Sequence, residues 1–181
     1  MDGYYAFGMH KNVGNRADRL EERLKGDGLE NIGSVNVMDL GDQNYGYSAQ
    51  ISNELELFND QIVIKPFLSF VPEEVPFTQK SRKYPIDFIF AEAHNLSSQI
   101  FIPEGYHVES LPTEISFDND IASLTIAYTQ ENNMITAKGE YQFKKAVYPP
   151  EAYQKLKRNY TQIVNFLNKE IILTPDTITE E

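Results

Sequence analysis

Residues 122–143 read ASLTIAYTQENNMITAKGEYQF, and this stretch decides the fold. Apolar and polar side chains alternate over Ala122–Gln130 and again over Met134–Phe143, which is the pattern of strands with one buried face. The residues between them, Glu131–Asn133, include two asparagines, and asparagine tolerates the positive φ that a tight turn needs. The stretch therefore predicts an antiparallel hairpin of two long strands.

Shorter segments on both sides of this hairpin have the same alternation. Asn53 predicts a break in one of them, and Pro66 predicts a bend or a sheet edge in another, because proline cannot donate to a strand ladder. Several short strands separated by close turns are typical of an antiparallel sandwich. The strands that the alternation predicts span residues 4–9, 34–40, 45–58, 62–70, 84–90, 96–102, 106–109, 115–117 and 171–173.

Two segments have the spacing of helices instead. Arg16–Lys25 has Leu20 and Leu24 on one face, and Asn15 is placed to cap its start. The glycine-containing residues 26–28 end it. A second helix begins after residues 149–151, because a proline in the first turn loses no hydrogen bond. Its apolar face, which we expect to cover a sheet, consists of Tyr153, Leu156, Tyr160, Ile163, Val164 and Leu167.

Residues 71–80 contain two prolines and two adjacent glutamates, so they mark the best candidate boundary between subdomains. The predicted fold class is α+β, mainly an antiparallel β-sandwich with one long C-terminal helix, preceded by a smaller helix-plus-strands segment. In this organisation residues 1–79 are the α+β linking segment. Residues 80–174 are the β-sandwich module with its helix, and residues 175–181 are a flexible acidic tail.

The charge of the chain argues against nucleic acid and anionic membranes as partners. It has 27 acidic and 16 basic residues, a formal net charge of −11, and the acidity is spread along its length. Phosphate binding needs clustered cations, and Lys155, Lys157 and Arg158 form the densest basic group. Since they fall on the polar side of the predicted helix, a solvated face is the better interpretation.

The chain has no cysteine, which excludes thiol nucleophiles, disulfides and thiolate metal sites. No apolar stretch approaches the ~20 residues that a membrane-spanning helix needs, so no membrane insertion is expected. The first residues lack the basic and apolar regions of a signal peptide. They resemble the middle of a strand more than a natural start, so we expect a piece cut from a longer protein.

Isolated chemical groups give only weak signals for catalysis. His10, His94 and His107 have no second histidine at metal-ligand spacing, so ordinary surface or packed histidines are the better interpretation. Ser48 lies in GYSAQ, where Gln50 replaces the second glycine that a nucleophile elbow needs to turn from strand to helix. A free-standing hydrolase rests on these signals alone. The prediction is that the chain is not an enzyme, with no catalytic residue, metal or cofactor.

Two binding hypotheses remain open. Asp118-Asn119-Asp120 resembles the opening of a calcium loop, but Ala122 and Ser123 occupy its fifth and sixth positions, so an acidic turn between strands is favoured. Calcium binding in a looser geometry stays an alternative. Exposed aromatics could form a platform for a glycan or a peptide, although alternation favours packing on a sheet face. The two candidate platforms are Tyr4, Tyr5 and Phe7, and Tyr141, Phe143 and Tyr148.

Three ordered segments resemble one family. They are RKYPIDF at residues 82–88, IPEGYHVESLP at residues 102–112 and YPPEAY at residues 148–153. Their order and spacing resemble the C-terminal domain of unknown function of bacterial transglutaminase-like envelope proteins. The closing Ile171-Ile172-Leu173 is similar to the final strand of that family. The similarity is strongest over residues 80–174 and weaker over residues 3–77.

The resemblance implies a role without chemistry of its own. In such proteins a large β domain and a papain-fold transglutaminase-like domain, with the catalytic Cys, His and Asp, precede this module. It implies a non-catalytic accessory domain with a structural or positioning role. The implied location is the bacterial cell envelope, in the periplasm, with export by a signal peptide that is absent from this fragment. The implied partner is the upstream transglutaminase-like domain of the same chain. A glycan- or peptide-binding β-sandwich module is the alternative.

Overall fold

The computed structural model describes residues 16–26, 29, 31–41, 44–52 and 57–176. The chain divides into two compact units, Met1–Leu55 and Glu56–Glu181. The described residues confirm a mixed α+β fold that is rich in antiparallel strands and has few helices. Among them, no helix has the length and apolar content needed to span a bilayer.

The described residues of the first unit form one helix and one hairpin. Helix α1 spans Arg16–Gly26, and the strands β1 (Ile32–Gly41) and β2 (Asn44–Ile51) pair antiparallel. Leu20 and Leu24 are buried, as their spacing predicts. The predicted cap Asn15 and the predicted strand over residues 4–9 lie outside the described residues.

The second unit is built from three antiparallel sheets in the described residues. The strands are β3 (Leu57–Phe58), β4 (Gln61–Ile64), β5 (Ile86–Asp87), β6 (Ala93–Phe101), β7 (Tyr106–Ser110), β8 (Ile115–Asp118), β9 (Ala122–Glu131), β10 (Met134–Phe143), β11 (Val147–Tyr148) and β12 (Ile171–Pro175). One sheet has the strand order β6-β10-β9-β8, a second has the order β3-β4-β12-β7, and β5 pairs with β11.

The hairpin of residues 122–143 forms as its sequence predicts. Strands β9 and β10 pair in register along their whole length, from Met134 opposite Glu131 to Phe143 opposite Ala122. Asn132 has φ 53° in the turn, the conformation for which asparagine is suited. Alternate residues of both strands are buried and the others face solvent.

The C-terminal helix covers the buried face of this hairpin's sheet. A 3₁₀ turn at Pro150–Ala152 leads into α2, which spans Tyr153–Leu167. Five of the six residues predicted for its apolar face are buried, and Tyr160 is half-buried. The helix and the sheet approach closely at Gly139 of β10. If this residue had a Cβ atom, that atom would lie 3.6 Å from Leu167 Cδ2 and 3.0 Å from Phe67 Cζ. A glycine therefore gives the sheet room for both side chains.

Two predicted strands are mostly wrong. Of residues 62–70 only the first three are in β4, because Pro66 interrupts the ladder and Leu68, with φ 49°, starts the 3₁₀ turn Leu68–Phe70. Of residues 84–90 only Ile86–Asp87 pairs as a strand. Ile89 has φ 72°, and its N–H donates to Asp87 Oδ1 at 2.7 Å, so the chain turns away from the sheet there.

Candidate functional site

A basic loop is fixed to the first turns of α2 through its own main chain. The carbonyl of Gln79 accepts hydrogen bonds from Tyr153 Oη at 2.8 Å and from Lys157 Nζ at 3.4 Å. The carbonyl of Lys80 accepts a hydrogen bond from Gln154 Nε2. Because backbone oxygens make these contacts, the loop's position does not depend on the ends of its own side chains. Residues 79–84 are called the anchored loop below.

The cations of the anchored loop remain available for a ligand. Gln79, Arg82, Lys83 and Tyr84 line an open pocket of about 250 Å³. The Arg82 guanidinium lies 5.9 Å from the centre of the Tyr153 ring, a cation–π contact that orients it. Within the described residues, no carboxylate lies at ion-pair distance from Arg82 or Lys83.

The chemistry of this pocket suits a carboxylate. A planar guanidinium can bind both oxygens of a carboxylate, and an adjacent ammonium adds a point charge. Tyr84 is 79% exposed, so it offers a ring and a hydroxyl at the same surface. The chain as a whole has a net charge of −11 and repels acidic molecules, whereas the cations of this pocket attract them.

The turn between β8 and β9 uses its polar side chains within the fold. Asp118 pairs with Lys144, and Asp120 Oδ2 lies 3.4 Å from Lys155 Nζ. Asn119 Oδ1 accepts the backbone N–H groups of residues 121 and 122 at 2.9 and 3.2 Å. The predicted acidic turn between strands is confirmed, and each of its two carboxylates has a lysine partner.

The described histidines lie apart from one another in the chain's topology. His94 on β6 stacks on Tyr141, with ring centres 4.5 Å apart, and its Nε2 lies 3.6 Å from Glu92 Oε2. His107 on β7 has Nδ1 2.9 Å from Asp176 Oδ1. His10 lies outside the described residues. In the part of the chain that the structure describes, no three His, Asp or Glu side chains are placed to hold a metal ion.

Ser48 is not at a nucleophile elbow. It is an exposed residue of β2, opposite Asn36, and the strand continues beyond it to Ile51. The sharp turn into a helix that exposes a catalytic serine is therefore missing at this position. The expectation that the segment continues as a strand is confirmed.

The aromatic residues proposed as a platform are mostly packed in the core. Tyr141, Phe143 and Tyr148 are 6%, 3% and 1% exposed, so they cannot present rings to a glycan or peptide. Phe143 stacks on Tyr160 and on Phe88, with ring centres 5.3 and 5.4 Å apart. The prediction that these aromatics pack a sheet face is confirmed. The other candidate platform, residues 4–7, lies outside the described residues.

Burial shifts the acidity of three tyrosines. It raises the pKa of Tyr128 to about 12, and the buried Tyr128 hydroxyl has no hydrogen-bond partner among the described residues. Burial also raises the pKa of Tyr141, assisted by the nearby charge of Glu92. The pKa of Tyr148 is raised by burial too, against the opposing effect of a hydrogen bond from the Lys145 N–H. No substrate-facing acid or base results from these shifts, because all three side chains point into the core.

Sequence patterns missed the main polar features. Lys80, Arg82 and Lys83 are close in sequence, but only the contacts with α2 show that their loop is fixed. Asn159 is 7% exposed, yet it interrupts the apolar face of α2 as a polar residue. Three of the four residues 80–83 are cations, which equals the density of the group at residues 155–158 that was taken as the densest, and this was the available signal for the loop. For Asn159 no local signal exists.

Comparison with known proteins places this architecture in a family. The model of a family described as a domain of unknown function with a solved structure (DUF3858) matches residues 60–173. A crystal structure of a provisionally assigned protease from Parabacteroides distasonis has a similar fold, with a TM-score of 0.51 and 11% sequence identity. The match covers 65% of this chain and 24% of that one, so the chain spans about a quarter of its length. No curated protein matches the chain in sequence.

Proposed function

The chain belongs to the DUF3858 family of domains of unknown function, and on that premise we propose that it is a non-catalytic accessory domain of a transglutaminase-like bacterial envelope protein. Its role is to support or position the upstream transglutaminase-like domain of the same chain. The resemblance of residues 82–88, 102–112 and 148–153 to that class of protein supports the proposal. The periplasm is the proposed location.

The packing of the second unit supports a structural role. One continuous core contains buried residues from both four-stranded sheets, such as Ile62 and Leu173 from one and Leu124 and Ile135 from the other. We infer from this shared core that the two sheets are the layers of the predicted β-sandwich, and that α2 and the second sheet together cover the one buried face of the sheet β6-β10-β9-β8. A core filled in this way leaves a rigid body that can hold a neighbouring domain in place.

The anchored loop is the observation that carries the positioning role. Its backbone is tied to α2 by Tyr153, Gln154 and Lys157, while Arg82 and Lys83 remain open toward solvent. A rigid loop loses little conformational entropy when its cations meet carboxylates. We take residues 82–84 as the contact to an acidic surface of the upstream domain.

Two experiments test the proposal in the longer protein. Deletion of residues 56–181 should lower the melting temperature and the activity of the transglutaminase-like domain. The double change Arg82→Glu and Lys83→Glu should weaken the binding of the separate 56–181 unit to that domain by at least about tenfold. The matched control, Lys138→Glu with Lys169→Glu, makes the same charge change at other exposed positions. Unchanged stability and activity after the deletion would refute the accessory role.

The alternative of a glycan- or peptide-binding module has less support. Its platform of Tyr141, Phe143 and Tyr148 is buried, so binding would depend on other surfaces. A free-standing hydrolase has less still, because Ser48 lies within an extended strand. Turnover of ester or peptide substrates that Ser48→Ala abolishes would revive it.

A further inference from the structure

Strand β6 has a free edge of unusual character. It lies at one end of its sheet, with β10 on one side and no strand of the described residues on the other. We propose that this edge joins two copies of the chain, with β6 paired antiparallel to β6 of the second copy about a two-fold axis at Ser97. The result is a continuous eight-stranded sheet that runs through both copies.

The hydrogen bonds to β10 show which backbone groups of β6 are available. At the two ends of the pairing, Ile102 N–H donates to the Asn133 carbonyl at 2.7 Å, and Phe143 N–H donates to the Glu92 carbonyl at 2.9 Å. Antiparallel pairs alternate between bonded and non-bonded residues, so the even-numbered residues of β6 bond to β10. The N–H and C=O groups of residues 93, 95, 97, 99 and 101 therefore point to the free edge.

A two-fold axis at Ser97 satisfies all of these groups at once. In that register Ser97 faces itself, Asn95 faces Gln99, and Ala93 faces Phe101 of the second copy. Each is a pairing between odd-numbered residues, so every free donor and acceptor of β6 meets its counterpart. A shift of the register by one residue would set odd-numbered residues opposite even-numbered ones and leave these groups unpaired.

The side chains of β6 are compatible with this register. Phe101 is 68% exposed, and on the same face it would lie over Ala93, so a large apolar ring covers a small partner. On the other face His94 would meet Ile100, and Leu96 would meet Ser98. No two carboxylates or ammonium groups face each other, although the chain as a whole has a net charge of −11.

Natural sheet edges usually carry features that block such pairing, and the other edges of this unit have them. Short strands, charges and irregular register are the usual features. Strand β3 has two residues, β8 has four and ends at Asp118, and the pairing of β7 with β12 is irregular at Ile172 and Leu173. In contrast, β6 runs for nine residues without a proline, lysine, aspartate or glutamate.

Sedimentation of the 181-residue chain over a range of concentrations tests the pairing. The weight-average mass should rise from 20.8 kDa toward twice that value. Ser97→Lys sets two ammonium groups against each other at the axis and should raise the dissociation constant at least about tenfold. Thr129→Lys on β9 is the control, because it is exposed on the same sheet but lies away from the edge.

Cysteine cross-linking tests the register, since the native chain has no cysteine. A bonded antiparallel pair has Cα and Cβ atoms about 5.5 Å apart, so a short bifunctional thiol reagent should join Ser97→Cys to its counterpart and give a covalent dimer. Asn95→Cys should not, because its two copies would lie about 13 Å apart along the strands. A mass of 20.8 kDa at all concentrations, a dimer that survives Ser97→Lys, or equal cross-linking at both positions would overturn the proposal. Protection of the β6 amides only in a longer protein would also overturn it, because another segment would then occupy the edge.

Discussion

Asn119 Nδ2 donates a hydrogen bond to Asn159 Oδ1 at 2.8 Å, and this pair ties the turn between β8 and β9 to the middle of α2. Asn159 also donates from Nδ2 to the Lys155 carbonyl at 2.9 Å. These two bonds give the buried side-chain amide of Asn159 its hydrogen-bond partners within the helix–sheet interface. Its removal therefore tests whether the interface is held by hydrogen bonds as well as by apolar packing.

We expect Asn159→Ala to lower the free energy of unfolding by about 1–3 kcal/mol, because Asn119 Nδ2 loses its acceptor in a partly buried site. A double-mutant cycle with Asn119→Ala, measured by urea denaturation, should show a coupling energy of at least about 0.5 kcal/mol. Asn119→Ala alone should cost more, since Asn119 also binds two backbone N–H groups in the turn. Strictly additive effects would mean that the pair does not form.

The docking of α2 predicts large losses at its buried face. Leu156 and Ile163 are both 0% exposed, so Leu156→Ala and Ile163→Ala should each cost about 2–5 kcal/mol through lost burial and a residual cavity. Gln162→Ala, at an exposed position of the same helix, should change the free energy of unfolding by less than about 0.5 kcal/mol. Near-wild-type stability of both buried variants would contradict the docked helix.

Two buried tyrosines should respond in opposite ways to loss of the hydroxyl group. The Tyr128 hydroxyl has no hydrogen-bond partner in the part of the chain that the structure describes, so Tyr128→Phe should leave stability unchanged or raise it by about 1 kcal/mol. The Tyr148 hydroxyl donates to the Ile121 carbonyl at 2.7 Å and accepts from the Lys145 N–H at 3.1 Å. Tyr148→Phe should therefore cost about 1–3 kcal/mol in thermal or urea unfolding. Equal effects of the two changes would refute this difference in hydrogen bonding.

Alkaline pH should destabilise the fold through its buried phenols. In the unfolded chain Tyr128 loses its proton near its ordinary pKa of 10, whereas in the fold burial raises the pKa to about 12. The folded state thus keeps a proton that the unfolded state releases. The contribution of this difference to the free energy of unfolding is fully present below pH 10 and is lost as the pH rises toward 12.

Urea denaturation between pH 8 and 11.5 measures this effect, with tyrosinate absorbance followed in parallel. The free energy of unfolding should fall above pH 10, and Tyr128→Phe should reduce the slope. Tyr84→Phe is the control variant, because it removes the hydroxyl group of a tyrosine that is 79% exposed. Identical slopes for wild type and both variants would count against buried phenols as the cause.

The parts of the fold that could be predicted from sequence are those with long local patterns. The β9–β10 hairpin and the apolar face of α2 each repeat over ten or more residues, so period alone places them. Strands β3, β5 and β11 have two residues each, and their pairing depends on distant segments that no local pattern reveals. The turn at Ile89 could not be predicted either, because β-branched residues rarely adopt the positive φ that Ile89 has.

The candidate site was less predictable than the fold. Neither the tie between residues 79–80 and α2 nor the Asn119–Asn159 pair can be read from spacing, because the paired residues are between 40 and 78 positions apart. The histidines, the calcium-like turn and Ser48 are weak signals in the sequence, because each lacks a neighbouring residue that the corresponding chemistry requires. Contacts between distant segments decide such sites, and sequence periodicity does not report them.

The measurement that tests the central claim most directly is the mass and sequence of the full-length product of the gene, obtained by mass spectrometry of the protein isolated from its source. We expect a mature protein well above 20.8 kDa whose first residue is the product of signal-peptide cleavage, with a cysteine-containing transglutaminase-like domain before this domain. A product of 20.8 kDa that consists of these residues alone would contradict it, because an accessory domain requires the domain that it serves.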